Sequence, residues 1–247
     1  MKVGNTDGAI KITILYDNYP YQEGLKTGWG FSCLVSGLEK TILFDTGADG
    51  EMLLDNMRQL QVDPNSIDIV FLSHIDGDHT DGLGAFLRSN PNVSVFVPAS
   101  FPERFTANVE SMGAEVVSVE GPSEVCHLAY STGDMGGLRR EHALVIKESE
   151  LTTVITGCAH PGIAEIVSRA GECWPANSMF IVGGFHLFSM SKGSIRGLIE
   201  DLKRLGVKWA APCHCSGDVG RNLFGEAFGD HYLGVGVGRE IDLSDLR

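Results

Sequence analysis

The chain reads as an α/β protein, and three observations carry that expectation. Short apolar runs rich in β-branched and aromatic residues alternate with stretches at helical spacing. Through the first half the order is strand, loop, helix, strand, as in layered α/β folds. Four apolar runs, residues 69–72, 151–155, 179–182 and 207–211, each end just before a histidine: His74, His160, His186 and His214. Open α/β sheets bind ligands at the carboxyl ends of their strands, and four histidines in register there are hard to attribute to chance.

Taken in order, residues 9–16 (AIKITILY) alternate well enough for a first strand, which residues 17–21 (DNYPY) break. The loop that follows, to Gly30, carries Trp29 between two glycines, either bordering a site or plugging the core. Residues 31–35 and 41–44 are apolar runs joined by Gly37-Leu38-Glu39-Lys40, which reads as a hairpin. Residues 51–60 place Met52, Leu53, Leu54, Met57 and Leu60 at helical spacing, so both methionines read as core filler. Pro64 closes that unit. Residues 83–87 read as a short helix, and residues 93–97 and 115–119 as strands with a weakly marked helix between. Residues 163–170, 194–205 and 219–228 read as helices behind the three later histidines. The middle one puts Ile195, Leu198, Ile199, Leu202 and Leu205 on one face. His127, His142 and His231 lack the strand-end setting and read as structural.

A chain of 247 residues, 43% of them hydrophobic, can bury a sizeable core, and a single domain spanning 1–247 is expected. Nineteen Lys and Arg against 32 Asp and Glu give a net charge of −13. That field repels polyanions, so no nucleic-acid partner is expected. No apolar run reaches membrane-spanning length, and residues 1–8 lack the apolar stretch of a signal peptide. Six cysteines are too sparse for a disulfide scaffold, which favours a reducing cytoplasm. A small-molecule substrate is the expected partner, with homo-oligomerisation left open.

The stretch Ser73-His74-Ile75-Asp76-Gly77-Asp78-His79-Thr80-Asp81-Gly82 places two imidazoles and two carboxylates within six residues at the end of a core strand. Such side chains seldom crowd there without a counter-charge, and a bound cation supplies one. His74 and Asp76 lie two apart and can face one side of an extended loop, whereas Asp78 and His79 are adjacent and diverge, which suggests more than one ion. A polar turn punctuated by Gly77 and Gly82 is the bland alternative.

This stretch resembles the His-x-His-x-Asp-His signature of the metallo-β-lactamase fold superfamily, with Asp76 in place of the second histidine. More narrowly, residues 16–238 resemble a subgroup of metal-dependent hydrolases that includes the archaeal dihydropterin-aminobenzene-ribose-phosphate synthase. The resemblance implies a four-layer αβ/βα sandwich. It implies that His74, Asp76 and His160 hold a first ion and Asp78, His79 and His214 a second. Asp45, in Asp45-Thr46-Gly47, would orient a ligand from behind, because a ligating imidazole needs an acceptor for its other nitrogen; helix capping by Asp45 or Asp49 is the alternative. Where the superfamily usually carries a bridging aspartate, this chain has Gly183-Gly184-Phe185-His186, so His186 is either a ligand or a group that stabilises substrate charge. Asp81 would be a further outer group. Cys213 and Cys215 flank His214 and stay outside the ligand set, although a thiolate is a good soft ligand.

The expected cofactors are two divalent metal ions (zinc, iron or manganese), or one if Asp76 weakens the first site. A carboxylate in a histidine's place shifts preference from zinc towards iron or manganese. The implied activity is a metal-dependent hydrolase in which a metal-bound hydroxide attacks a small phosphate or carboxylate ester, with Asp78 orienting the hydroxide and His186 as general acid. Arg139 and Arg140, beside the glycine-rich residues 133–137, either hold a phosphate or form a solvated turn. One rival is a pterin-diphosphate transferase, with Trp29, Phe31 and Phe185 stacking the ring; the other is a non-catalytic metal or ligand sensor.

Overall fold

The computed structural model describes residues 9–246, so the reading of residues 1–8 lies outside the described residues. Two large sheets face each other. The first runs in the order β15 (Glu240–Asp242), β1 (Lys11–Tyr16), β2 (Ser32–Ser36), β3 (Ile42–Phe44), β4 (Ile69–Phe71), β5 (Ser94–Pro98) and β6 (Glu115–Val119). The second runs β14 (Val207–Cys213), β13 (Ser178–Gly184), β12 (Leu151–Thr156), β11 (Leu144–Lys147), β8 (Ala129–Ser131) and β7 (Ser123–Cys126). Pairs β3–β4, β4–β5, β5–β6, β12–β13 and β13–β14 are parallel. A short ribbon joins β9 (Met135–Gly136) to β10 (Arg140–Glu141).

The period-2 alternation of the strands builds the layers. Cys33, Val35, Ile42, Phe44, Ile69 and Phe71 of the first sheet meet Leu151, Ile155, Phe180, Val182 and Ala211 of the second in a shared central core. The intervening Leu34, Leu43 and Val70 point outward against α1 (Gly50–Gln59), α3 (Leu83–Ser89) and α4 (Glu103–Ser111). On the far side Val154, Met179, Ile181 and Ala210 pack against α5 (Ile163–Cys173), α6 (Lys192–Arg204) and α7 (Gly217–Phe228). Strands covered on both faces must be apolar at nearly every position, which is why these runs lack alternation in sequence. The result is the expected four-layer sandwich. Asp49 caps α1 through Oδ1, which accepts from the N–H groups of Glu51 (2.9 Å) and Met52 (3.1 Å). Met57 is fully buried, whereas Leu205 lies beyond the end of α6 and is exposed, so it does not belong to that helix's covering face. Among the described residues no helix is long and apolar enough to cross a membrane.

His142 bolts the two sheets together. Its ring stacks on Phe71 at 3.9 Å between centroids, its Nε2–H donates to the Leu72 carbonyl (2.9 Å), and its Nδ1 accepts from Ser131 Oγ (2.9 Å). Burial pushes its pKa down to about 3. A histidine buried neutral takes up its proton on unfolding, so its contribution is whole above about pH 6.5 and falls towards pH 3, by about 1.4 kcal/mol per pH unit. We expect the unfolding free energy of His142→Gln, measured by denaturant titration, to fall about 2 kcal/mol less than that of the wild type between pH 6.5 and 5. Parallel losses would show that His142 carries no such burden.

Candidate metal centre

The parallel strands of both sheets end at one rim, and the chemistry-bearing loops leave from there. β4 runs into Ser73-His74, and the turn that follows forms the short helix α2 (Gly77–Thr80), with Asp76 at its N-cap position. His160, His186 and His214 arrive from the ends of β12, β13 and β14, so one sheet supplies His74 and the other the remaining three.

Six side chains form two triads. In the first, Asp76 Oδ2 lies 3.7 Å from His74 Nε2 and 3.6 Å from His160 Nε2. In the second, Asp78 Oδ2 lies 3.3 Å from His214 Nε2 and 3.6 Å from His79 Nε2, and the two imidazole nitrogens are 3.3 Å apart. Ligands bound at about 2.0–2.2 Å around a tetrahedral ion sit about 3.3–3.6 Å from each other, so both triads have the spacing of ion-binding sets. The triads are adjacent: the His74 and His79 ring centroids are 4.2 Å apart. The Nε2 atoms of His74 and His160 are buried and have no hydrogen-bond partner among the described residues, which a metal ion would remedy.

The other ring nitrogens are held from behind. His79 Nδ1–H donates to Asp45 Oδ2 (2.7 Å), and His214 Nδ1–H donates to Asn18 Oδ1 (3.0 Å). His74 Nδ1–H donates to Ser73 Oγ (2.9 Å), whose own hydrogen goes to Asp45 Oδ2 (2.7 Å). Each tautomer leaves the Nε2 lone pair facing inward, as a ligand requires. Asp45 therefore orients two histidines and does not cap a helix. It is fully buried, and burial pushes its carboxyl well up and the His79 imidazole well down. Burial opposes charge on His74 as well, but Asp76, Glu141 and Asp45 outweigh it and raise its pKa to about 9. Asp76 is drawn down to about 2, first by His74 and then by Arg139 and His160. The two shifts set His74 and Asp76 towards their charged forms, whereas His79 is set towards the neutral form that can bind a cation.

The loop from Gly157 to His160 is tied to Glu141. Its Oε1 accepts the N–H groups of Gly157, Cys158 and Ala159 (3.0, 3.0 and 2.9 Å), and Oε2 accepts that of His160 (2.9 Å). Gly157 packs so closely that a Cβ would lie 2.0 Å from Ser73 Oγ. Of the six non-glycine residues with positive φ among the described residues, Asp45, Ala159, His186 and His214 belong to these loops. Strain of that kind collects where the surroundings hold a site in place.

His186 Nδ1 is buried with no hydrogen-bond partner among the described residues, and its ring lies 4.7 Å from that of His160. A bond with Cys215, against the effect of burial, raises its pKa. Arg139 pairs with Asp76 beside a cleft of about 150 Å³ that Phe101 and Ser100 also line; Arg140 turns to Asp134 (2.9 Å). Trp29 is no core plug: it is 55% exposed, with its ring 4.9 Å from that of His214. Phe31 and Phe185 are buried, one in the central core and the other against Phe224, so neither can stack a substrate; Phe188, 59% exposed and 5.0 Å from the His186 ring, is the aromatic on that side. Asp81 is exposed at the end of α2, with its carboxylate over Gly77, and is no outer group of the triads. Cys213 packs in the central core, while Cys215 Sγ lies 3.3 Å from Cys158 Sγ. His127 is exposed and His231 packs against Trp209, both away from the triads. Sequence reasoning missed Asn18, Ser73, Glu141 and Cys158; only Ser73 and Cys158, each next to or near a strand-end histidine, carried a local signal.

A family model described as "Metallo-beta-lactamase superfamily" matches residues 30–214. The chain is 28% identical to the 7,8-dihydropterin-6-methyl-4-(beta-D-ribofuranosyl)-aminobenzene-5'-phosphate synthase of Methanocaldococcus jannaschii, over 98% of this chain and 99% of that protein. The solved structure of Tm1679, a metal-dependent hydrolase of the beta-lactamase superfamily, superposes with a TM-score of 0.79 at 26% identity, covering 94% of this chain and 98% of the other. The metallo-beta-lactamase fold protein YhfI from Bacillus subtilis shares the fold, with a TM-score of 0.69 at 16% identity over 95% and 99% of the two chains.

Proposed function

The chain belongs to the metallo-beta-lactamase superfamily, and from that premise we propose that it is a metal-dependent hydrolase of small phosphate or carboxylate esters. The observation that carries this reading is the pair of adjacent donor triads, each with ligand spacing. His74, Asp76 and His160 would hold one divalent ion, and Asp78, His79 and His214 the other. Bound there, such ions would supply Lewis acidity and a water activated near neutral pH. The remaining work falls to the chain. Asp78, half-buried at the edge of its triad, orients the attacking water through its carboxylate. His186, held above its ordinary pKa, gives a proton to the leaving oxygen. Arg139 meets an anionic group of the substrate in the cleft beside Asp76.

The decisive experiment is metal analysis of the purified protein, followed by assay on p-nitrophenyl phosphate, bis(p-nitrophenyl) phosphate and p-nitrophenyl acetate. Stoichiometric metal with turnover of at least one ester is expected; metal without turnover of any sinks the hydrolase reading, and no metal at all points to a sensor. Asp76 makes the first triad harder than three nitrogens would be, favouring iron or manganese over zinc. Asp76→His is therefore expected to raise zinc relative to iron when both are offered in equal amounts. An unchanged ratio would mean that Asp76 is not a ligand.

A second reading is group transfer, favoured by the exposed rings of Trp29 and Phe188 beside His214 and His186 and by the full-length similarity to the archaeal synthase. Incubation with a pterin diphosphate and an aminobenzoate-type acceptor in ¹⁸O-labelled water separates the two. Coupled product free of label supports transfer, and a labelled alcohol or phosphate supports hydrolysis.

A further inference from the structure

We infer that the thiolate of Cys158 is a ligand shared by the two ion positions, an inference that rests on the two-ion reading above. Cys158 is buried behind the triads at the end of β12. Its Sγ lies 3.4 Å from His79 Nε2. It also lies within 4.8 Å of ring nitrogens of His74 and His160 on the first side and of His214 on the second. The two triads have no donor in common, and Cys158 comes within that distance of members of both. Independently, His74 Nε2 and His160 Nε2 are buried with no hydrogen-bond partner among the described residues, and Asp76 Oδ2 lies 3.7 Å from the first and 3.6 Å from the second.

The chemistry fits the gap. With metal–sulfur near 2.3 Å and metal–nitrogen near 2.1 Å, the two atoms sit about 3.6 Å apart around a tetrahedral ion, close to the separation from His79. Three donors on each side and one shared sulfur make four, and expansion to five-coordination would keep a place on each ion for the attacking water. At Gly184, the end of β13, no side chain can enter instead, because a Cβ there would lie 2.7 Å from Cys215 Sγ and 2.3 Å from the Gly157 carbonyl oxygen. Glu141 fixes the Cys158 backbone through its N–H (3.0 Å), so the sulfur is pre-set. On loading, the S–H bond breaks, its proton leaves to solvent and two S–metal bonds form. A soft sulfur beside the hard Asp76 retains affinity for iron and zinc over magnesium or calcium.

X-ray absorption on the protein loaded with two equivalents of zinc tests this directly. A shared thiolate gives an average of one sulfur neighbour per ion. Zinc bound by nitrogen and oxygen alone overturns the inference, and so does half a sulfur per ion, the count for a terminal thiolate. Cys158→Ser should remove the sulfur signal and weaken zinc binding at least about tenfold, the size of effect that loss of an outer partner already produces. Cys215→Ser should leave the sulfur count unchanged; if it alone removes the signal, the assignment to Cys158 is wrong. Should Cys158→Ser fail to fold, the count on the unaltered protein still decides. A protein that binds no zinc overturns the two-ion reading and this inference together, whereas zinc without sulfur overturns only this one.

Discussion

His79→Ala is expected to lose one equivalent of metal and at least about a thousandfold in kcat/KM, the rate equivalent of several kcal/mol of transition-state charge stabilisation. His214→Ala should behave alike, because each removes one imidazole from a triad whose members stand 3.3–3.6 Å apart. The loss reaches beyond one bond. Without the His79 ring, Asp45 keeps Ser73 alone as a donor among the described residues and remains a buried carboxyl whose pKa burial already raises. That carboxyl also anchors Ser73, which holds His74, so some weakening of the first triad follows. His142→Ala is the control. It removes a buried imidazole that stacks on Phe71, and should cost stability while the folded protein keeps its metal. Plasma emission spectrometry and initial rates on the same preparations check this. Equal metal loss in all three variants would show that the two triads are not the binding sets.

Much of this was legible in the sequence where the signal is local. The 69–72 run and the crowding of His74, Asp76, Asp78 and His79 lie within eleven residues, and the triads draw on both of its pairs. Strand ends followed by histidines also transferred directly into geometry, because a strand covered on both faces announces itself by continuous apolarity. What sequence could not decide was which face each aromatic takes. Phe31 enters the central core one residue before β2, and Phe185 turns against α7, while Trp29 stays at the rim. Pairing register and loop path decide those outcomes, and neither is written in a window of a few residues. Asn18 was illegible for a related reason. Its role is to accept from His214, 196 positions away, and in sequence it is an ordinary turn residue.

Glu141 shows the same limit and leads to the second large effect. It follows two arginines and precedes a histidine, a pattern that reads as a solvated turn, yet its carboxylate is buried and accepts four backbone N–H groups of the 157–160 loop. The loop needs such an acceptor because Ala159 sits at φ +56° and no regular ladder can take its donors. Glu141→Ala would orphan all four buried donors at about 1–3 kcal/mol each, a sum comparable with the whole stability of an ordinary domain. We expect little or no soluble folded protein from it. Glu141→Gln is the informative variant. Its amide oxygen can keep the three bonds to Gly157, Cys158 and Ala159, but its NH₂ then faces the His160 N–H, donor against donor. Loss of that bond and of the charge on the others should cost about 2–4 kcal/mol, or about 5–15 °C in Tm for a chain of this size. His160 and Cys158 would shift together, so metal at the first triad, which uses both, should fall more than at the second, which uses only Cys158 of the two. Calorimetry with metal analysis on one sample gives both numbers. Unchanged Tm with two ions retained would show that Glu141 merely fills space beneath the loop.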